Sequence, residues 1–179
     1  MKIDTDLKSF LDEKVAAYNT FDFIVNDPVS IPHRYHLKED IEIAGFLAAT
    51  ISWGNRKTIV RNATHMLDLL GESPFDFVMS HDEHQLHLLD HFVHRTFNSI
   101  DYKCFKQSLK HIYTEHGGLE AIFSKYAEPH SLQFAIHQFK IHVTYRRVPN
   151  ILIVIGTMFK IVMILHFTHC FCHFTDTPI

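Results

Sequence analysis

Apolar positions recur every three or four residues through most of the first 145 residues, which predicts a succession of amphipathic helices. The clearest of these segments cover residues 5–18, 56–70, 101–116, 119–127 and 131–143. A further segment starts near Glu39 or Asp40 and runs to Trp53. It is apolar almost all the way round, which predicts a buried central helix. No alternating strand pattern occurs before residue 145, so we predict an all-α fold, an orthogonal multi-helix bundle.

Helix ends are marked by residues that favour caps and turns. Ser73 followed by Pro74 resembles an N-cap followed by a proline at the first helical position. The prolines at 28 and 32 exclude a continuous helix there and predict an ordered loop. Helix stops are predicted at Gly54-Asn55, Gly71 and Gly117-Gly118, where a left-handed backbone is tolerated.

Histidines crowd the segment SHDEHQLHLLDHFVHR at residues 80–95. Ser80 and Glu83 have the spacing of a capping box, which predicts a helix. On that helix the histidines share one face, and leucine, phenylalanine and valine fill the other. A row on one solvated face does not converge on an ion, so no metal site is predicted. The weak metal candidates are His84, His87, His91 and His94.

Composition changes near residue 145. Residues 1–145 hold 14 Lys/Arg against 19 Asp/Glu, a balance of −5, whereas residues 146–179 hold three against one, a balance of +2. Residues 151–174 are dense in Ile, Val, Phe and Met. We predict an incomplete helical domain at 1–145 and an atypical hydrophobic tail at 146–179. Three interpretations of the tail stay open: an out-of-frame product, which we favour, a buried strand pair, and a marginal membrane anchor.

Overall composition excludes some classes of protein. The net charge of −3 does not indicate a nucleic-acid partner by itself. Three cysteines without a CxxC pair make neither a disulfide framework nor a zinc ribbon, which favours the cytoplasm and reduced thiols. The N-terminus has no signal-peptide pattern. No phosphate loop, nucleophile elbow or His-Glu-x-x-His motif occurs, so no cofactor is predicted.

Positive side chains do gather between residues 33 and 61, where five Lys/Arg face three acids. The proline loop presents His33 and Arg34, either as a phosphate-binding segment or as a brace in which Arg34 pairs with Asp40 or Glu42. At the next turn, Trp53 precedes a helix N-terminus that suits an anion. The candidate nucleic-acid-binding residues are His33, Arg34, Trp53, Asn55, Arg56, Lys57, Arg95 and Asn98.

The segments DPVSIPHRY (27–35), DIEIAGFLAATISWGNRKTIV (40–60) and HRTFN (94–98) resemble domain-of-unknown-function family 2400, over residues 1 to about 145. A remoter likeness, over IEIAGFLAATISWGNRKTIVRNATHMLDLLGESPFDFV, is to the helix-hairpin-helix DNA glycosylase superfamily. That likeness implies a glycosylase-like N-terminal helical portion and DNA as a partner. It also implies that the DNA-gripping hairpin and catalytic aspartate lie further toward the C-terminus, where this chain shows neither.

The sequence therefore predicts a helical, glycosylase-like DNA-binding or DNA-repair fragment without the catalytic part. Whether the family is enzymatic is left open, and this chain is expected to be inactive. The alternatives are a non-catalytic helical scaffold or interaction protein and a protein anchored to a membrane through residues 151–174. A membrane partner is not favoured, and the oligomeric state is left open.

Overall fold

The computed structural model describes residues 5–80, 82–129 and 131–144. Helices dominate these ranges, and a single two-stranded hairpin interrupts them, so the predicted all-α bundle is confirmed. The helices are α1 (Thr5–Tyr18), α2 (Phe21–Val25), α3 (Lys38–Thr50), α4 (Arg56–Asp68), α5 (Pro74–Ser80), α6 (Glu83–Leu86), α7 (Ser99–His116), α8 (Leu119–Tyr126) and α9 (Gln133–Thr144). The strands are β1 (Val93–His94) and β2 (Phe97–Asn98), which pair antiparallel.

Helix α3 is the centre of the core, as its apolar circumference predicted. Every residue from Glu42 to Ile51 is buried, and α3 packs against α4 and α5. The amphipathic helix predicted over residues 101–116 is also confirmed: α7 forms there, and Tyr102, Phe105 and Leu109 on its apolar face are buried. Tyr102 donates a hydrogen bond of 2.6 Å to the carbonyl of Met66, which ties α7 to α4.

The proline loop is ordered, as predicted, but it contains helical turns that the periodicity missed. Two 3₁₀ turns cover Pro28–Ser30 and Pro32–Arg34. The first begins at Asp27, whose carboxylate accepts a hydrogen bond from the Val29 N–H at 3.1 Å. Before them lies the short helix α2. Proline at the first position of each turn supplies the required φ and needs no N–H partner.

The predicted histidine-rich helix is wrong beyond its first turns. Helix α6 has four residues, is capped by Asp82 and Gln85 rather than Ser80 and Glu83, and gives way to a 3₁₀ turn and the hairpin. Burial explains the change: Phe92 and His94 are buried while Val93 between them is 62% exposed. Alternation of this kind has the period of a strand, not of a helix.

Helix α1 forms where it was predicted, but its apolar side chains stay outside the core. Leu7, Phe10 and Tyr18 are each more than half exposed. Phe21 and Val25 of α2 are exposed as well. The amphipathic pattern of residues 5–18 therefore predicted the helix correctly but not its packing.

Within the described ranges no helix is both long and apolar enough to cross a bilayer. The predictions for the tail, including the membrane alternative, concern residues outside those ranges.

Two carboxylates of α3 are buried and bind the beginnings of other helices. Asp40 accepts hydrogen bonds from the Phe75 N–H at 2.8 Å and the Ser73 hydroxyl at 3.1 Å, which fixes the start of α5. Arg34 pairs with Asp68 instead, so the ion pair of Arg34 with Asp40 or Glu42, one of the two interpretations of the proline loop, is wrong.

Glu42 does the same for α8. Its carboxylate accepts from the Tyr113 hydroxyl at 2.7 Å and from the N–H groups of Leu119 and Glu120, each at 3.3 Å. One side chain of α3 thus joins α7 and the N-terminus of α8, satisfying N–H groups that a helix cannot satisfy itself.

We predict that Glu42→Ala lowers the free energy of unfolding by about 3 kcal/mol, because three donors lose a buried acceptor. Glu42→Gln keeps one acceptor oxygen and should cost less. Urea denaturation followed by circular dichroism measures both. Glu39→Ala, on the same helix, is the matched control and should change stability little; equal losses for Glu39→Ala and Glu42→Ala would contradict the role given to Glu42.

Burial raises the pKa of Glu42 above its ordinary value, although its hydrogen bonds oppose the shift. The folded chain therefore binds this proton more tightly than the unfolded chain does, and the stability that this difference contributes is lost as the pH rises from the ordinary pKa of a glutamate through the raised pKa. In Glu42→Gln that part of the pH dependence should disappear. A pH profile of Glu42→Gln identical to that of the parent chain would show that Glu42 does not titrate with a raised pKa.

Candidate functional site

A tight turn joins α3 to α4 and leaves the N-terminus of α4 at the surface. Gly54 in this turn has φ +117°, a backbone conformation that favours glycine. Asn55 follows as the N-cap, and its side chain accepts a hydrogen bond from the Thr58 N–H at 3.3 Å. Arg56 and Lys57 then open α4 with exposed side chains. The turn thus places two cations at the positive end of a helix dipole.

The β-hairpin brings Arg95 to the same turn. Its guanidinium carbon lies 5.0 Å from the centroid of the Trp53 ring, a cation–π contact. A Cβ on Gly54 would lie 2.5 Å from Arg95 Nη2, so a residue with a side chain cannot occupy position 54 unless Arg95 moves. Arg95 itself has φ +57°, and it is the only non-glycine residue of the described chain with a positive φ. The backbone is therefore strained where it presents this guanidinium.

His94 holds the turn from inside. The Asn62 amide donates to His94 Nδ1 at 2.9 Å, so Nε2 carries the proton and points to the Trp53 carbonyl at 3.5 Å. Burial lowers the pKa of His94, the hydrogen bond to the Trp53 carbonyl opposes this shift, and the charge of Arg95 adds to it. Because Nδ1 accepts from the Asn62 amide, the imidazole takes its neutral form and braces Trp53, α4 and the hairpin.

The positive charges of this turn are largely uncompensated. Arg56 Nε lies 3.8 Å from Asp27 Oδ2, at the limit of an ion pair, and its guanidinium lies over the Phe23 ring. No described carboxylate lies within ion-pair distance of Lys57 or Arg95. We call Trp53, Arg56, Lys57 and Arg95 the elbow cluster.

Arg34 lies elsewhere. Its Nη2 pairs with Asp68 Oδ1 at 2.6 Å. Asp68 is the last residue of α4 and Arg56 is the first, so Arg34 is about 18 Å along that helix from the elbow cluster, at a rise of 1.5 Å per residue. His33 adjoins Arg34, and partial burial lowers its pKa. The predicted single group of cations is thereby divided into two.

The two asparagines of the prediction are helix caps. Asn98 Oδ1 accepts from the N–H groups of Ile100 at 2.9 Å and Asp101 at 3.4 Å, which starts α7. Asn55 caps α4 in the same way. The side-chain oxygens of both asparagines are engaged in helix capping. Capping therefore explains both asparagines without a ligand.

The histidine candidates of residues 84–94 do not surround a common point. His94 is buried at the elbow, while His87 Nδ1 lies 2.8 Å from Asp90 Oδ2 on the surface. The rings of His84 and His87 are 6.3 Å apart. Sequence reasoning missed Asn62, whose pairing with His94 spans 32 positions and follows no local pattern.

Fold and site define an all-α protein with a small β-hairpin and a cationic turn between its second and third long helices. The chain belongs to the family described as "Protein of unknown function (DUF2400)", which matches residues 27–159. No curated protein matches it significantly. No solved structure does so either.

The matched region contains all three segments on which the resemblance rested, and with them the whole elbow cluster. It begins at residue 27, so residues 1–26 lie outside it, and it takes in residues 146–159 of the tail. The domain boundary at residue 145 stays a prediction.

We predict that Gly54→Ala displaces Arg95 from Trp53, because the added Cβ occupies the position of the guanidinium. The variant should lose about 2 kcal/mol of stability through backbone strain and the broken contact. Since Trp53 is the only tryptophan of the chain, its emission should also shift to longer wavelength as water reaches the ring.

Gly71→Ala is the matched control. Gly71 has φ +80°, yet nothing lies within 4 Å of its hypothetical Cβ, so only the backbone cost should appear and Trp53 emission should stay constant. If Gly54→Ala leaves the emission unchanged, Arg95 is not held over Trp53 as described.

Proposed function

We propose that the chain is a DNA-binding helical protein whose elbow cluster contacts the phosphate backbone. The observation that carries the proposal is Arg95, held at a positive φ with its guanidinium over Trp53 and beside the N-terminus of α4. The two-residue loop between β1 and β2 requires a positive φ, which glycine or asparagine usually supplies. An arginine at this position costs free energy that a glycine would not, which points to a use for its side chain.

The chemistry of the elbow cluster suits a phosphate group. Trp53 covers one face of the Arg95 guanidinium, and a planar guanidinium can still donate through its edge to two oxygens. Lys57 and the positive end of the α4 dipole add attraction for an anion. Among the carboxylates that the structure describes, only Asp27 approaches these cations, at 3.8 Å from Arg56, so little of the described negative charge must be displaced on binding.

Trp53 supplies a second kind of contact. Its Nε1 is buried and has no hydrogen-bond partner among the described residues. Aromatic side chains next to arginines stack with bases that leave a duplex. The proposal therefore includes distorted or single-stranded DNA as a ligand, in keeping with the resemblance to DNA glycosylases.

The proposal does not include base excision. The likeness to DNA glycosylases implies a catalytic aspartate further toward the C-terminus than the segment that carries the likeness. We propose a repair-type binding fragment of this kind in the cytoplasm, where the cysteine usage puts it. The competing function is a scaffold. The ion pair of Arg34 with Asp68 and the helix caps formed by Asn55 and Asn98 are structural roles, and they favour a scaffold for these three residues.

We predict that Arg95→Gln weakens DNA binding by about tenfold, since a charged hydrogen bond contributes about 1.5 kcal/mol. The slope of log affinity against log salt should fall by about 1, because one phosphate contact is lost. Fluorescence anisotropy of a labelled oligonucleotide, as duplex and as single strand, measures both quantities. Lys57→Gln should act in the same direction.

Arg34→Gln is the matched control. It removes the same charge from the chain, but at the far end of α4 and from an ion pair. Unchanged affinity in Arg34→Gln together with weaker binding in Arg95→Gln supports the elbow cluster. Equal losses of affinity in both variants would mean that binding depends on net charge and not on the elbow cluster. If the parent chain shows no salt-dependent binding to DNA, the scaffold function is favoured.

A further inference from the structure

Three histidines come together away from the elbow, where the C-terminal ends of α7 and α9 meet. They are His111, His116 and His142, all half-buried. One ring nitrogen from each can be chosen so that all three lie within 4.8 Å of one another. The ring centroids of His116 and His142 are 4.1 Å apart, and those of His111 and His116 are 5.2 Å apart.

The backbone around these histidines is fixed by both helices. The Ser108 hydroxyl, one turn before His111, donates to the carbonyl of Val143 at 2.7 Å. Val143 is the neighbour of His142, so this hydrogen bond holds α9 against α7 beside the three imidazoles. At the end of α7, Gly117 adopts φ +76° and its N–H bonds to the Ile112 carbonyl, which defines the position of His116.

We propose that His111, His116 and His142 bind a divalent transition-metal ion of the zinc type. Imidazole nitrogen is a preferred ligand of such ions, and ligands from two separate helices provide the convergence that the 80–95 segment lacks. Zn–N bonds of about 2.0–2.1 Å place tetrahedral ligand atoms about 3.3 Å apart. The three nitrogens lie within 4.8 Å of one another, so binding would draw them together to that spacing, and water would complete the coordination.

The groups around the three histidines act in opposite directions on the binding of a cation. Burial lowers the pKa of His116 and of His142, His111 lowers both further, and His116 also lowers that of His142. For these two imidazoles the shift favours the neutral form, which is the form that binds metal. Lys125 of α8 also lowers both pKa values, and its positive charge opposes a cation. Glu115 acts in the opposite sense on His116.

Zinc titration of the full chain, with a competing chelator dye, tests the proposal. One tight equivalent is expected, and His116→Asn should weaken it by at least about 100-fold, the upper range seen when only a residue supporting a ligand is lost. Lys125→Gln should tighten it, because a like charge is removed. Co²⁺ in place of zinc should give the visible absorption of a four-coordinate nitrogen site.

Two control variants separate this site from adventitious binding. His137→Asn removes an exposed histidine from the same helix, α9, and His84→Asn/His87→Asn removes the surface pair. Tight binding that survives His116→Asn, or that is lost in His84→Asn/His87→Asn, would overturn the proposal. Thiolate-to-cobalt charge-transfer absorption would also overturn it, since that would assign the metal to cysteines. Unfolding of His116→Asn can be recognised by circular dichroism; His142→Asn then provides an independent test.

Discussion

The fold depends on two carboxylates buried on α3. Asp40 binds the start of α5, and Glu42 binds Tyr113 of α7 and the first N–H groups of α8. Buried carboxylates are costly unless they are hydrogen-bonded, so their presence in the core fixes where these helices begin. The other end of α3 is buried up to Ile51, and the turn into α4 starts from there.

That turn combines several local requirements in a few residues. Gly54 permits the backbone path and leaves space for Arg95, and neutral His94 joins Trp53 to Asn62. Arg95 adopts a positive φ in this position, which costs conformational free energy. The result is a cationic surface in which Arg95 is already in contact with Trp53.

The sequence pattern predicted most of the helices, but it did not predict which side chains pair with residues far away along the chain. Periodicity and caps predicted α1, α3, α4, α7 and α8 because these signals act within one or two turns. The prediction of one long helix in the histidine-rich segment was wrong, because the burial of Phe92 and His94 at the hairpin overrides the helical pattern. Arg34 was misplaced because its partner, Asp68, is 34 positions away. The three histidines of α7 and α9 escaped notice because His111 and His116 lack a familiar ligand spacing and His142 lies on another helix.

The central claim is that DNA binds at the elbow cluster, and the emission of Trp53 reports on that place alone because the chain has no other tryptophan. The most direct measurement is a titration of the full chain with unlabelled oligonucleotide at low salt. A saturable change in Trp53 emission, reversed by added salt, is the result predicted. Constant emission at oligonucleotide concentrations that saturate binding by sedimentation would contradict the claim.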